Sequence, residues 1–174
     1  LKKVKKRCEE VGSLLILDEI QPGIGRTGKL FAFMDHDVIP DILVIGKGLG
    51  GGLPVGAFTA DKKYMAQLTE APSLGHITTF GGNPVVAAAC RETLQTIIKS
   101  SLMEDTLKKE KLFKNLLVHP KIKAIRGKGL MLALIMNDAK TAQTLVKNCI
   151  NEGVLLFFLL FEPTAVRISP PLTI

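Results

Sequence analysis

The chain has 174 residues, 47% hydrophobic and 22% charged, the balance of a globular protein rather than a disordered, collagenous or coiled-coil one. That length suits one ordinary domain and is short for two. The longest uncharged run near the end, Gly153 to Phe161, has nine residues against the ~20 of a membrane-spanning helix, so no membrane partner is expected.

Residues 1 to 11 read as the end of a helix that Gly12 stops. Leu14-Leu15-Ile16-Leu17 is a short run with no polar face, the pattern of a strand buried on both sides of a parallel sheet. It runs into Asp18 and Glu19, then a glycine-rich turn from Pro22 to Gly28. A second apolar run, Ile42-Leu43-Val44-Ile45, follows Pro40-Asp41 and leads into Gly46-Lys47-Gly48. The roughly twenty residues between the runs are enough for a parallel crossover. A third stretch, Val55 to Ala60, reads as an adjoining strand of either direction.

Asn83-Pro84 is a helix start, with Asn as cap and Pro in the first helical position. Val86, Ala89, Cys90, Thr93, Leu94, Ile97 and Ile98 then recur near the helical period, and residues 102 to 118 continue in that style. Ile122 to Arg126 and Leu130 to Met136 read as strands around Gly127-Lys128-Gly129. Asp138 caps a helix running to about Glu152, which Gly153 stops, and Val154 to Phe161 and Val166 to Ile168 read as strands. The expected fold is α/β over residues 1–119, with a mostly parallel sheet, followed by a small, incomplete α+β domain over residues 120–174.

The net charge is +7, so a basic binding module is one hypothesis. The lysines cluster at 2 to 6 and at 108, 109, 111 and 114, but with no Trp and one Tyr no aromatics interleave with them. They read as a solvated helix face, and no nucleic acid is expected. Cys8, Cys90 and Cys149 are odd in number and far apart, which argues against a disulfide framework and against a metal site, and for reduced thiols in a cytosol-like compartment. The chain opens on Leu1 within a basic segment and ends soon after Pro170-Pro171, which suggests a piece of a longer protein.

The turn Gly23-Ile24-Gly25-Arg26-Thr27-Gly28-Lys29 fits both G-x-G-x-x-G and G-x-x-x-x-G-K. Leu30 stands where a P-loop needs Ser or Thr, and Ile20-Gln21-Pro22 delays the turn, so both nucleotide readings are weak. Asp18 with Lys47 is the better constellation. Each lies just past the carboxyl end of an apolar strand, the edge where α/β sheets bind ligands. Lys47 is flanked by glycines, which lets a flat ligand approach. A deprotonated lysine attacks aldehydes, and a carboxylate opposite can pair with a protonated ring nitrogen, as pyridoxal phosphate chemistry requires. The plain alternatives are a capping Asp and a surface lysine.

Leu17-Asp18-Glu19-Ile20-Gln21 with the glycine turn resembles the signature of class III, fold-type I aminotransferases of the acetylornithine and ornithine group. So do Pro40-Asp41-Ile42-Leu43 through Gly46-Lys47-Gly48-Leu49-Gly50-Gly51-Gly52-Leu53-Pro54, and His76-Ile77-Thr78-Thr79-Phe80-Gly81-Gly82-Asn83-Pro84. Arg126-Gly127-Lys128-Gly129-Leu130-Met131 and Arg167-Ile168-Ser169-Pro170-Pro171-Leu172 follow in the family's order, so the resemblance covers essentially the whole chain. It implies the carboxy-terminal half of a pyridoxal 5'-phosphate enzyme that transaminates between an amino acid or ω-amino donor and a 2-oxo acid. By the same resemblance Lys47 carries the Schiff base and moves the proton, Asp18 pairs with the pyridine nitrogen, and Gln21 lies near the phenolic oxygen. Thr79 reaches the cofactor phosphate of the neighbouring subunit in a homodimer with shared active sites, and Arg167 binds the substrate carboxylate. His76 reads as a loop residue, and Pro22 departs from the small hydroxyl residue usual in the family. No metal is implied, and the compartment is cytoplasmic, or the mitochondrial matrix for a eukaryotic parent. The competing hypothesis within the fold is a truncated, catalytically inactive chain.

Overall fold

The computed structural model describes all residues from Leu1 to Ile174. The chain divides into two compact units, one of Leu1–Ile24 with Lys29–Ser100, the other of Gly25–Gly28 with Ser101–Ile174. No helix is long and apolar enough to cross a membrane.

In the first unit, α1 (Lys2–Val11) ends at Gly12, whose left-handed backbone (φ 70°) lets its amide return to the Cys8 and Glu9 carbonyls. Three strands follow, β1 (Ile16–Asp18), β2 (Ile42–Gly46) and β3 (Gly56–Ala60), in the order β1-β2-β3. β1 and β2 are parallel, whereas β3 runs antiparallel to β2. The expected mostly parallel sheet is therefore a mixed one. Only Lys47–Val55 separate β2 from β3, and a parallel crossover needs about a dozen residues or more. β1 starts two residues later than the apolar run, and Leu14 and Ile16 are exposed while Leu15 is buried, so one face of this segment is covered and the other is not. Two single-turn helices, α2 (Lys62–Met65) and α3 (Gln67–Glu70), precede α4 (Pro84–Lys99). The Asn83 side chain caps α4 by accepting the Val85 and Val86 amides.

The second unit contains α5 (Leu102–Leu116), β4 (Ile122–Lys128), β5 (Met131–Met136), α6 (Ala139–Asn151), β6 (Phe157–Leu159) and β7 (Glu162–Ile168). Its four strands form an antiparallel sheet in the order β4-β5-β7-β6. Every second residue of β5 points inward, so Leu132, Leu134 and Met136 form the core with Ala142, Val146, Val166 and Ile168. Asp138 caps α6 by accepting the Thr141 amide at 2.8 Å.

Sequence placed residues 102–118 with the large domain. Phe113 and Leu117 pack on the core of the second unit, and the compact units divide after Ser100. Of the apolar stretch Val154 to Phe161, only Phe157–Leu159 form a strand, where they find backbone partners on β7.

Candidate active site

Asp18 lies opposite Val44 in the parallel β1–β2 ladder, and Lys47 follows Val44 by three residues. Parallel neighbours end on the same side. The carboxylate and the amine therefore both leave the carboxyl-terminal edge of the sheet. Past Asp18, the Glu19 amide still donates to the Val44 carbonyl at 2.8 Å, and Gly23 donates back to the Glu19 carbonyl at 3.0 Å. Asp18 is exposed, and its Oδ1 accepts the Ile20 amide at 2.9 Å, which fixes the carboxylate at the turn. Gln21 is half-buried in that turn, beside Pro22.

Glu19 has a different task. It is buried, and its two oxygens accept the Ala32 amide at 3.0 Å and the Phe33 amide at 2.8 Å. The carboxylate thereby caps the 3-10 turn Ala32–Asp35. Strand parity explains why two adjacent acids end on opposite sides.

Lys47 is exposed and holds a left-handed backbone with φ 45°. It opens a 3-10 turn, Lys47–Gly50, that Gly51 closes with φ 58°. That turn packs against α4 so closely that a Cβ at Gly51 would lie 2.3 Å from Thr93 Oγ1. Leu49 and Gly50 are buried beneath it. The amine thus stands on a fixed backbone between two residues without side chains. An exposed primary amine in that setting can attack an aldehyde, and an adjacent carboxylate can hold a protonated heterocycle.

Thr79 belongs to the exposed stretch of residues 71–82, in the loop before α4. On the same loop, the His76 ring packs edge-on against Phe58 with centroids 5.0 Å apart. Arg167 is in the second unit, on β7, between Ala133 of β5 and Phe157 of β6. Val166 and Ile168 point into the core, so Arg167 projects from the other face of the sheet. The structure brings Asp18, Gln21 and Lys47 to one sheet edge. Thr79 lies on the loop before α4, and Arg167 belongs to the second unit.

Two further residues tie down backbone, one in each unit. Asp41 accepts the Leu15 amide at 2.8 Å and pairs with Lys5 Nζ at 2.8 Å, which fixes the start of β1 beside β2. Arg26 is half-buried and donates to the Leu130 and Pro170 carbonyls. Sequence reading assigned neither a role, because their partners are far along the chain and leave no local pattern.

A family model for aminotransferase class-III matches residues 1–174. Among solved structures, acetylornithine aminotransferase from Elizabethkingia anophelis is 35% identical with a TM-score of 0.89, and the match covers 99% of this chain and 44% of that one. N-acetylornithine aminotransferase from Stenotrophomonas maltophilia K279a is 32% identical with a TM-score of 0.86, over 99% of this chain and 45% of that one. The ornithine aminotransferase from Toxoplasma gondii, crystallized in the presence of oxidized glutathione, shows partial occupancy of PLP at its active site. It is 32% identical with a TM-score of 0.89, over 99% of this chain and 41% of that one. The chain therefore spans less than half the length of each of these proteins. Matched along its whole length and carrying the family's motifs in order, the chain belongs to the class-III aminotransferases.

Proposed function

We propose that this chain carries the lysine-bearing part of a pyridoxal 5'-phosphate-dependent aminotransferase, which moves an amino group from an amino acid or ω-amino donor to a 2-oxo acid. The observation that carries the reading is the pair Asp18 and Lys47, an acid and an amine on the same edge of adjacent parallel strands. This donor set suits the cofactor, since the amine matches an aldehyde, the acid matches a ring nitrogen, and glycines flank the amine. Partial PLP occupancy in the Toxoplasma gondii relative supports the same cofactor.

When bound, pyridoxal phosphate supplies an electron sink that loosens a proton on the substrate carbon. Lys47 Nζ would hold the cofactor's aldehyde carbon and, as an amine beside the substrate carbon, would accept and return the proton there. Asp18 would keep the ring nitrogen protonated, and Gln21 would border the phenolic oxygen. Arg167 receives the substrate carboxylate, for which the guanidinium fork is well shaped. Thr79, exposed on its loop, suits a contact with the phosphate held by a neighbouring subunit, which implies a homodimer with shared sites. The three free cysteines suit a reducing compartment such as the cytoplasm.

A second reading, the same fold without catalysis, is favoured by one observation: the chain spans under half of its solved relatives. Reconstitution of the full-length protein with pyridoxal phosphate, followed by borohydride reduction and peptide mass mapping, separates the two. The expected result is added mass at Lys47. Labelling at another lysine, or none, would remove the assignment.

A further inference from the structure

The turn that follows β7, Ser169-Pro170-Pro171, has two consecutive prolines and so lacks two amide donors, while its carbonyls still need partners. Two cations donate here, one to a carbonyl of the turn and one to the carbonyl just after it. Lys109, on α5, donates to the Leu172 carbonyl at 2.5 Å. Arg26 donates through Nη1 to the Pro170 carbonyl and, at 3.2 Å, to the Leu130 carbonyl. The Arg26 carbonyl in turn accepts the Leu130 amide at 3.0 Å. One residue thus engages both backbone groups of Leu130, which is fully buried.

The fit is tight in the backbone as well. A Cβ at Gly129 would lie 2.4 Å from the Arg26 carbonyl oxygen, so only a residue without a side chain admits this approach. Thr27 adds no grip, since its hydroxyl is buried without a hydrogen-bond partner. Burial pushes the Arg26 guanidinium below its ordinary pKa, yet a guanidinium stays charged at neutral pH. Its bonds to the two carbonyls are therefore charge-assisted.

The location of these acceptors matters. Leu130 directly precedes β5, and Pro170 lies two residues past Ile168, the last paired residue of β7. The two strands are antiparallel neighbours, with Leu132 opposite Ile168 and Ala133 opposite Arg167. Arg26 consequently closes the ladder at the end that carries Arg167.

We propose that Arg26 is a positioning residue for substrate recognition: by stapling the start of β5 to the exit of β7, it holds Arg167 where its guanidinium receives a substrate carboxylate. The proposal rests on the reading of Arg167 as the carboxylate partner. The staple needs a planar cation with two N–H groups on one nitrogen and a long stem, so lysine replaces it only in part.

The test uses the full-length holoenzyme with Arg26→Met, which keeps length and removes the charge, with Arg26→Lys, and with Arg167→Ala as the reference. The measurements are KM and kcat for a 2-oxo acid, the inhibition constant of an aliphatic monocarboxylate, and cofactor absorbance. Arg26→Met is expected to raise KM and the inhibition constant by about tenfold while kcat changes less than about twofold, since a displaced binding group costs affinity more than chemistry. Arg26→Lys should fall between wild type and Arg26→Met, with cofactor absorbance intact in every variant. If Arg26→Met does not fold, Arg26→Lys decides by the same constants. Unchanged constants in the Arg26 variants, or a fall in kcat that tracks lost cofactor, would overturn the staple and leave the Arg167 reading standing. An Arg167→Ala enzyme with unchanged constants would overturn both.

Discussion

Lys47 adopts a left-handed backbone (φ 45°), which costs a residue with a side chain roughly 1 kcal/mol. Both Lys47→Ala and Lys47→Gly are expected to abolish transamination. The glycine variant should also be more stable than the alanine variant by about 1 kcal/mol, because glycine takes this backbone freely. Urea unfolding of the pair measures the difference, and equal stability would mean that the backbone relaxes in the alanine variant. Asp18→Asn makes a separate point. An amide oxygen can still accept the Ile20 amide that Asp18 Oδ1 now accepts, so the fold should survive, while a neutral partner no longer keeps a ring nitrogen protonated. Single-turnover rates are expected to fall by several orders of magnitude; unchanged rates would leave Asp18 as a turn cap only. Both residues were legible in the sequence because each ends an apolar run and Lys47 stands among glycines. Glu19 and Arg26 were not. Glu19 caps amides 13 and 14 residues away, and Arg26 reaches carbonyls 104 and 144 residues away. No local periodicity carries such pairings.

At the scale of elements, the start of β1 depends on Asp41, which ties the Leu15 amide to Lys5 on α1. The Lys5 ammonium, then the Leu15 amide, hold the Asp41 carboxyl below its usual pKa. The hydrogen bond to Asp41 raises the pKa of Lys5. A depressed carboxylate stabilises above its unfolded pKa, and that contribution is lost as pH falls through the lower folded value. A raised ammonium contributes below its unfolded pKa, and that contribution is lost as pH rises through the higher folded value. The pair is therefore complete across the neutral range. Asp41→Asn is expected to lower Tm at neutral pH and to converge with wild type in acid once the pH has fallen below the depressed pKa of Asp41, where its carboxyl is protonated and neutral like the amide. A Tm difference that persists unchanged in acid would assign the effect to packing instead. The helices were the most legible elements, because Asn83-Pro84 and Asp138 announce α4 and α6 with side-chain caps. The strands were less so. Leu14 and Val154 belong to apolar runs, yet a strand extends only where a neighbour offers backbone groups, and hydropathy does not report the neighbour.

At the scale of the molecule, the family was legible from five motifs in order, whereas the division at Ser100 was not. Residues 102–118 look like a continuation of the preceding helix until Phe113 and Leu117 find their core. The chain also exposes apolar groups that a finished protein rarely leaves bare. Ile16 lies on the edge strand β1, and Leu160 and Phe161 are 91% and 98% exposed in the β6–β7 turn. Open edges and apolar patches favour self-association. The 174-residue chain, expressed alone, is expected to self-associate and to show no transamination. Light scattering after size exclusion, cofactor absorbance and an amino-transfer assay check this. A monodisperse monomer with bound cofactor and turnover would show that the site is complete within these residues.

The four residues Gly25–Gly28 belong to the second compact unit although their chain neighbours on both sides belong to the first. During synthesis they leave the ribosome long before Leu130 and Pro170, the partners that Arg26 will hold. The Arg26 guanidinium therefore does not have both of its carbonyl partners until the last strand has emerged. No single cut in the chain yields both units whole, and an evolutionary exchange of either would have to carry a piece of the other.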